Sequence, residues 1–314
     1  MNQPIHRLTT LLVSSALLLA SCGPKSNPDL TSTPQSSPDP NTPSAEPNPA
    51  PNSETAIELS FGVYSSDKPT EMIKQFRPTL DALEAIVSEK LGKTLDIRME
   101  VAATYETGID NLVDGKVDLS QLGPASYITA KKRNEGLSIV AIESKGGTKQ
   151  FSGVFCVAEA SPIQSVSELK GKTFAFGSEL STIGRYLSQE YLMDNGVKAS
   201  DLGRYEYLGR HDKVGAAVGL GAYDAGVLKE GSFKKLVAGG TEIREIARFP
   251  NVTKPWVARA GLDESLHEVL RAALVQMEDS EALEALRVDG FLEGEDADYA
   301  PIRTSMDRND AFFQ

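Results

Sequence analysis

Residues 169–192 read LKGKTFAFGSELSTIGRYLSQEYL. The run Thr173 to Phe176 favours β structure and predicts a short buried strand. Gly177 and Ser178 break it. Ser181 then stands where a helix N-cap belongs, with Ile183, Leu187 and Tyr191 giving an i, i+4, i+8 stripe and Gly196 closing the helix as a C′ residue. A strand, a polar loop and a helix opening on Ser-Thr can form an anion site. The first amides point outward, the terminus carries about half a positive charge, and two hydroxyls can donate. Ser and Thr also start helices that bind nothing, so the reading leans on the rest of the chain.

Strand and helix alternate on either side of this stretch. Ile57, Leu59, Phe61 and Val63 alternate, and Met72, Phe76, Leu80, Leu83, Val87 and Leu91 have helical spacing. Pro78 is expected to start or kink that helix and Gly92 to end it. Leu95, Ile97, Met99 and Val101 alternate again. A helix near 107–114, a strand at 118–122, a helix at 125–134 and a strand at 137–142 follow. A second unit begins at Phe151, with strands near 205–208, 224–228 and 243–249 and a helix near 212–220. Residues 262–314 have a helical pattern with no strand of their own and are expected to pack back on the first unit. Repeated β-α-β at this spacing means an α/β fold with largely parallel sheet. Ligands of such sheets sit beyond the carboxyl ends of the strands, here the loops 64–69, 123–127 and 177–182.

The amino-terminal region is not part of that fold. Arg7 precedes an apolar run from Leu11 to Ala20, too short for a membrane span and suited to a signal-peptide core. The run ends Leu19-Ala20-Ser21-Cys22, which resembles a bacterial lipobox with Cys22 as the lipidated residue. Residues 23–55 then hold nine of the seventeen prolines and almost nothing apolar. Such a segment buries no core and predicts an extended tether, at ~3.1 Å per residue reaching on the order of 100 Å. The reading is of an exported chain, lipid-anchored to a bacterial membrane and facing the periplasm or outer surface.

Charge and cysteine usage narrow the function. A net charge of −12 argues against a nucleic-acid surface, so any anion must be held by local donors. Of the two cysteines, lipidation of Cys22 leaves Cys156 alone and excludes an internal disulfide. Phe155-Cys156-Val157 reads as strand, which makes a buried, inert thiol of Cys156. No nucleophile elbow, P-loop, metal-spaced His or Cys cluster or Cys-x-x-Cys occurs, so the chain is read as a binding protein without cofactor, not an enzyme.

Several segments in order carry a resemblance. They are Gly123-Pro124-Ala125-Ser126-Tyr127, then residues 169–178, Ser181-Thr182-Ile183-Gly184, His211-Asp212, and Ala217-Val218 through Tyr223-Asp224-Ala225-Gly226. Together they resemble the phosphate/phosphite/phosphonate substrate-binding proteins of ABC importers, over roughly residues 57–245. The resemblance implies a type II periplasmic-binding-protein fold, two α/β lobes joined by two crossing strands with the ligand cleft between them. The crossings would lie near 143–152 and 244–254, giving a discontinuous first lobe (56–147 and 246–314) and a second lobe (148–245).

It also implies a monomer that captures a small phosphorus oxyanion and delivers it to permease and ATPase subunits. Ser181, Thr182 and the amide of Ile183 would hold the phosphoryl oxygens. His211, Tyr127, Ser126 and Tyr64 would add contacts, and Asp224 would meet an amine or a protonated P–OH. Without the resemblance, His211 reads as an exposed residue before a helix, Tyr64 and Tyr127 as rim aromatics, and Asp224 as a turn residue. An alternative in the same family is a sensor accessory partnering a membrane histidine kinase. Its arsenite-sensing members contact ligand through a thiol, which would be Cys156.

Overall fold

The computed structural model describes residues 56–314. The expected signal peptide, the expected lipidation at Cys22 and the expected tether lie outside the described residues. Two mixed sheets carry the fold. The first has strand order β11-β4-β10-β3-β1-β2, formed by β1 (Ile57–Tyr64), β2 (Leu95–Ala102), β3 (Leu119–Gln121), β4 (Ser138–Ser144), β10 (Pro255–Ala258) and β11 (Gly290–Leu292). The second has order β7-β6-β8-β5-β9, from β5 (Gln150–Ala158), β6 (Thr173–Phe176), β7 (Arg204–Tyr207), β8 (Ala225–Lys229) and β9 (Ile243–Val252).

The strands next to helical crossovers are parallel: β2, β1 and β3 in one sheet, β7, β6 and β8 in the other. The others are not. β10 runs antiparallel between β3 and β4, and β5 runs antiparallel between β8 and β9. The chain leaves the first sheet after β4 and returns between β9 and β10, and β5 and β9 pair along nearly their whole length, from Gln150–Val252 to Ala158–Ile243. Two long strands side by side therefore connect the sheets.

Helix α1 (Pro69–Leu91) starts at Pro69, where a missing N–H matters least, and ends on Gly92 at φ 63°. It runs through Pro78 rather than starting there. Its buried face of Met72, Phe76, Leu80, Leu83 and Val87 covers the first sheet, with Trp256 of β10 against Phe61 and Phe76. Helices α2 (Tyr105–Val113) and α3 (Pro124–Arg133) share a second apolar cluster on that lobe. Helices α5 (His211–Gly219) and α6 (Glu230–Ala238) flank β8 in the other.

The carboxy-terminal segment differs from its purely helical expectation. Helices α7 (Glu264–Val275) and α8 (Ser280–Leu286) do pack with α1, but Gly290–Leu292 adds the edge strand β11 beside β4. After α9 (Ala300–Asp307), Phe312 is buried among Phe176 and Tyr205 of the second sheet. The tail thus touches both lobes: Phe312 enters the second lobe's core, and Asn309 beside it accepts from Arg185 and donates to Gln189.

The stretch after β6 also departs from a plain helix. Ser181 caps it, its Oγ accepting from the Gly184 amide at 2.9 Å. The first turn, Thr182–Tyr186, is a wide π-type turn in which the Leu187 amide reaches back to the Thr182 carbonyl, and α4 (Leu187–Asp194) follows. Turns of this kind recur at functional sites. Here the helix start lies against the end of β6: a Cβ on Gly184 would stand 2.7 Å from the Cα of Gly177, so position 184 admits no side chain without a backbone shift.

Candidate functional site

The carboxyl ends of β1, β3, β6 and β8 converge between the sheets, as expected for parallel strands with crossover helices. A cavity of about 30 Å³ lies there, room for roughly two waters or one small anion. Tyr64, Ser66, Gln121 and Gly123 face it from the first lobe, and Ser181, Thr182, Ile183, His211 and Lys229 from the second. Asn251 and Lys254 come from the crossing.

Hydrogen bonds already span the cleft. The His211 amide donates to the Ser66 carbonyl at 3.0 Å, and the Ala125 amide to Thr182 Oγ1 at 2.8 Å. Ser126 Oγ donates to the Leu180 carbonyl at 3.3 Å. Lys229 Nζ sits 2.6 Å from Asp67, whose carboxylate also accepts from Ser232, and Lys235 pairs with Glu71. Burial pushes the Asp67 carboxyl up, but Lys229 and the other donors outweigh it and hold it at about 2.

The polar groups left over decide what the cavity can take. As the first residues of the turn, Thr182 and Ile183 have no preceding carbonyl for their amides. The Ser181 and Thr182 oxygens accept from backbone amides; the Thr182 hydroxyl proton is left free to donate, while the Ser181 hydroxyl also bonds the buried Tyr105 hydroxyl. Asn251 is 4 % exposed, yet neither atom of its amide has a partner, and Nδ1 of the buried His211 has none either. Burial, with Lys229 adding to it, pushes the His211 imidazole down to about 3, so it is neutral at physiological pH and acts as a hydrogen-bonding group, not a cation. Lys254 is pushed down to about 8 by burial and by Lys229. Lys229 is neutralised by Asp67, and Lys254 supplies the surplus positive charge. Buried polar atoms rarely stay unpaired, and here they surround one space with a cation on its wall.

The candidate residues are not all brought together. Ser181, Thr182, Ile183, His211 and Tyr64 surround the cavity. Tyr64 is not a free donor: its hydroxyl accepts from the Gly123 amide at 2.6 Å and donates to Ser126 at 3.1 Å, and its ring stacks on Tyr105 at 3.8 Å. Ser126 supports that hydroxyl instead of facing the cavity. Tyr127 lies on the far side of α3, donating to Asp296 at 2.8 Å and packing on Tyr299. Asp224 stands at the amino end of β8, accepting from the Thr173 amide and hydroxyl at 2.7 and 2.8 Å. The cleft is at the other end of that strand, where Lys229 is, so Asp224 is not a ligand contact. Cys156 is buried in the second lobe's core beside Val214 and Val218, its thiol pushed up to about 12 by burial, and offers no thiol to the cleft.

Sequence reading missed Lys229, Asn251 and Lys254, and with them the cation. The signal was present as Asn251-Val252-Thr253-Lys254, a polar cluster at the expected second crossing. Among the described residues no cluster of three or more His, Cys, Asp or Glu could hold a metal, and no helix is long and apolar enough to cross a membrane.

Residues 61–299 match the family model for the ABC transporter, phosphonate, periplasmic substrate-binding protein. The chain belongs to this phosphonate-binding family. Among curated members, it is 25 % identical over 276 residues to the probable ABC transporter phosphite binding protein PhnD1 of Prochlorococcus marinus, covering 78 % of this chain and 92 % of that one. The phosphonates-binding periplasmic protein of Escherichia coli is 26 % identical over 259 residues, 78 % of this chain and 75 % of that one. In fold, the family is matched by the PhnD1 structure in complex with methylphosphonate, at TM-score 0.70 and 21 % identity over 80 % of this chain and 97 % of that one. A binding protein component of an ABC phosphonate transporter from Pseudomonas aeruginosa matches at TM-score 0.71 and 20 % identity, covering 81 % and 88 %. The two-lobed architecture of periplasmic binding proteins is therefore that of this chain.

Proposed function

We propose that this family member captures one small phosphorus oxyanion, a phosphonate, phosphite or phosphate, between its lobes, for delivery to an ABC permease. The observation that carries the reading is the set of unpartnered buried groups, Asn251 and His211, beside Lys254 and the free amides of Thr182 and Ile183. Amide and hydroxyl donors would take the phosphoryl oxygens, and Lys254 would meet their charge in a space from which closure excludes water. Charged hydrogen bonds are strongest there. The relatives' names, one phosphite-binding and one phosphonates-binding, point the same way.

The test is isothermal titration of residues 57–314 with methylphosphonate, phosphite, phosphate, sulfate and arsenite. Thr182→Ala is expected to weaken the best anion by ~1.5–3 kcal/mol, roughly 10- to 100-fold. Because the Thr182 oxygen also accepts from the buried Ala125 amide, that variant loses stability too. Thr182→Ser keeps both bonds and should bind close to the parent. Equal affinity in Thr182→Ala and the parent sinks the site, and no response to any phosphorus anion sinks the function.

Anchoring through Cys22 is part of the same proposal, supported by the lipobox-like Leu19-Ala20-Ser21-Cys22 and the proline-rich spacer. Cys22→Ala should move the protein from the detergent to the aqueous phase with its anion binding intact. Continued partition into detergent contradicts the anchor.

A further inference from the structure

A second cavity of about 40 Å³ adjoins the first, the two sharing Phe151, Lys229 and Lys254 as common walls. Glu143, Lys145 and, at the mouth, the exposed Arg287 complete it. The charges on its walls do not cancel. Lys229 is tied to Asp67, and Glu143, whose hydrogen bond from the neutral Gln121 amide at 2.5 Å leaves its charge in place, is one carboxylate against three further cations. Lys145, Lys254 and Arg287 have no carboxylate in ion-pair contact among the described residues. Lys145 lies 5.9 Å over the Phe151 ring, and Arg287 reaches only the Gly231 carbonyl, at 3.4 Å.

Arg287 carries an independent mark. It caps the carboxyl end of α8 at φ 65°, the one non-glycine residue with positive φ among the described residues. Glycine takes that conformation without steric penalty, and a residue with a Cβ does not. Backbone strain of this kind gathers where a side chain has a task. Burial also pushes the Lys145 ammonium below its ordinary value, with Lys229 and Arg287 acting in the same direction against Glu143 and Glu230, a penalty that an anion would relieve.

We propose that the favoured ligand is a phosphonate carrying a second acidic group, with its phosphoryl group in the first cavity and a carboxylate in the second, near Lys145, Lys254 and Arg287. The proposal rests on the oxyanion reading above. It sets the chain apart from binders of amino-substituted phosphonates, whose ammonium would here face three cations against the single carboxylate of Glu143. Shared walls put the two acid sites close together, which suits a tail of one or two carbons.

Calorimetry on the intact protein in detergent tests this with methylphosphonate, ethylphosphonate, 2-aminoethylphosphonate, phosphonoacetate and 3-phosphonopropionate. One of the two phosphonocarboxylates should bind at least tenfold tighter than ethylphosphonate, and aminoethylphosphonate should bind weakest. Lys145→Gln and Arg287→Gly should each remove most of that gain and leave methylphosphonate within about threefold. Arg287→Gly should also raise the melting temperature, so its loss of selectivity cannot come from unfolding. If the carboxylate adds nothing over the plain alkyl chain, or the variants weaken all ligands alike, the second acid site is wrong while the oxyanion site stands. Absence of binding by every phosphonate, methylphosphonate included, overturns both.

Discussion

Lys254→Gln is expected to weaken oxyanion binding by ~2–4 kcal/mol, on the order of 30- to 1,000-fold, since it removes the surplus cation from a desolvated site. The pH profile separates this charge from mere packing. In the free protein, burial and Lys229 bring Lys254 down to about 8, and a bound anion must raise it again. Between those two values binding takes up a proton, so affinity falls as pH rises past about 8, by up to tenfold per unit. The ligand's own second ionisation lies at lower pH, and a more highly charged oxyanion binds more tightly, so it does not produce a fall in affinity above pH 8. His211, neutral down to about 3, adds no strengthening between pH 5 and 8, although an ordinary imidazole would. Titration calorimetry in two buffers of different ionisation heat should therefore register proton uptake near pH 9 in the parent and none in Lys254→Gln. A parent whose affinity is flat from pH 7 to 10 contradicts the role given to Lys254.

Ending the chain at residue 245 should abolish cooperative folding. The deletion takes away β10, which lies between β3 and β4, and with it Trp256, fully buried against Phe61. It also removes Leu270, Leu274, Met277, Leu286 and Phe291 from the core shared with α1, and Phe312 from the second lobe. At ~1.5–3 kcal/mol per large apolar side chain the loss over these residues is as large as the ~5–15 kcal/mol that holds a typical domain together. Near-UV circular dichroism and a melting curve check this. A sharp, ligand-responsive melt of the shortened chain refutes a lobe built from both ends of the sequence.

Much of the architecture was legible because local pattern and tertiary context agree. The alternation at Ile57 to Val63 and at Leu95 to Val101 became β1 and β2, and the run Thr173 to Phe176 became β6 with those bounds. The elements that escaped, β10 and β11, are four and three residues long; β3 and β6 are as short but belong to the β-α-β alternation, whereas β10 and β11 join their sheet antiparallel and outside it. At the site, Ser181 was legible as a cap because capping is local chemistry. Lys229 was not, because only the sheet order shows which end of β8 meets the other lobe. Asp224 was misplaced for the same reason, five residues away on the wrong end of one strand. Lys254 was hidden by a net charge of −12, which says nothing about a single cation shielded from the rest of the surface.

The contacts across the cleft have one more implication. Asp67–Lys229, Glu71–Lys235 and the His211–Ser66 backbone bond join the lobes without using any atom of a ligand. Such a clamp can shut on solvent alone, and a shut, empty molecule presents nearly the same outer face as a loaded one. Whatever reads that face then receives a background as well as a signal. Cargo alters the ratio only through the extra stability it gives the shut form. The unpartnered Asn251 and His211 matter in this setting, because a shut form without cargo can offer them no more than about two trapped waters, and that cost holds the background down.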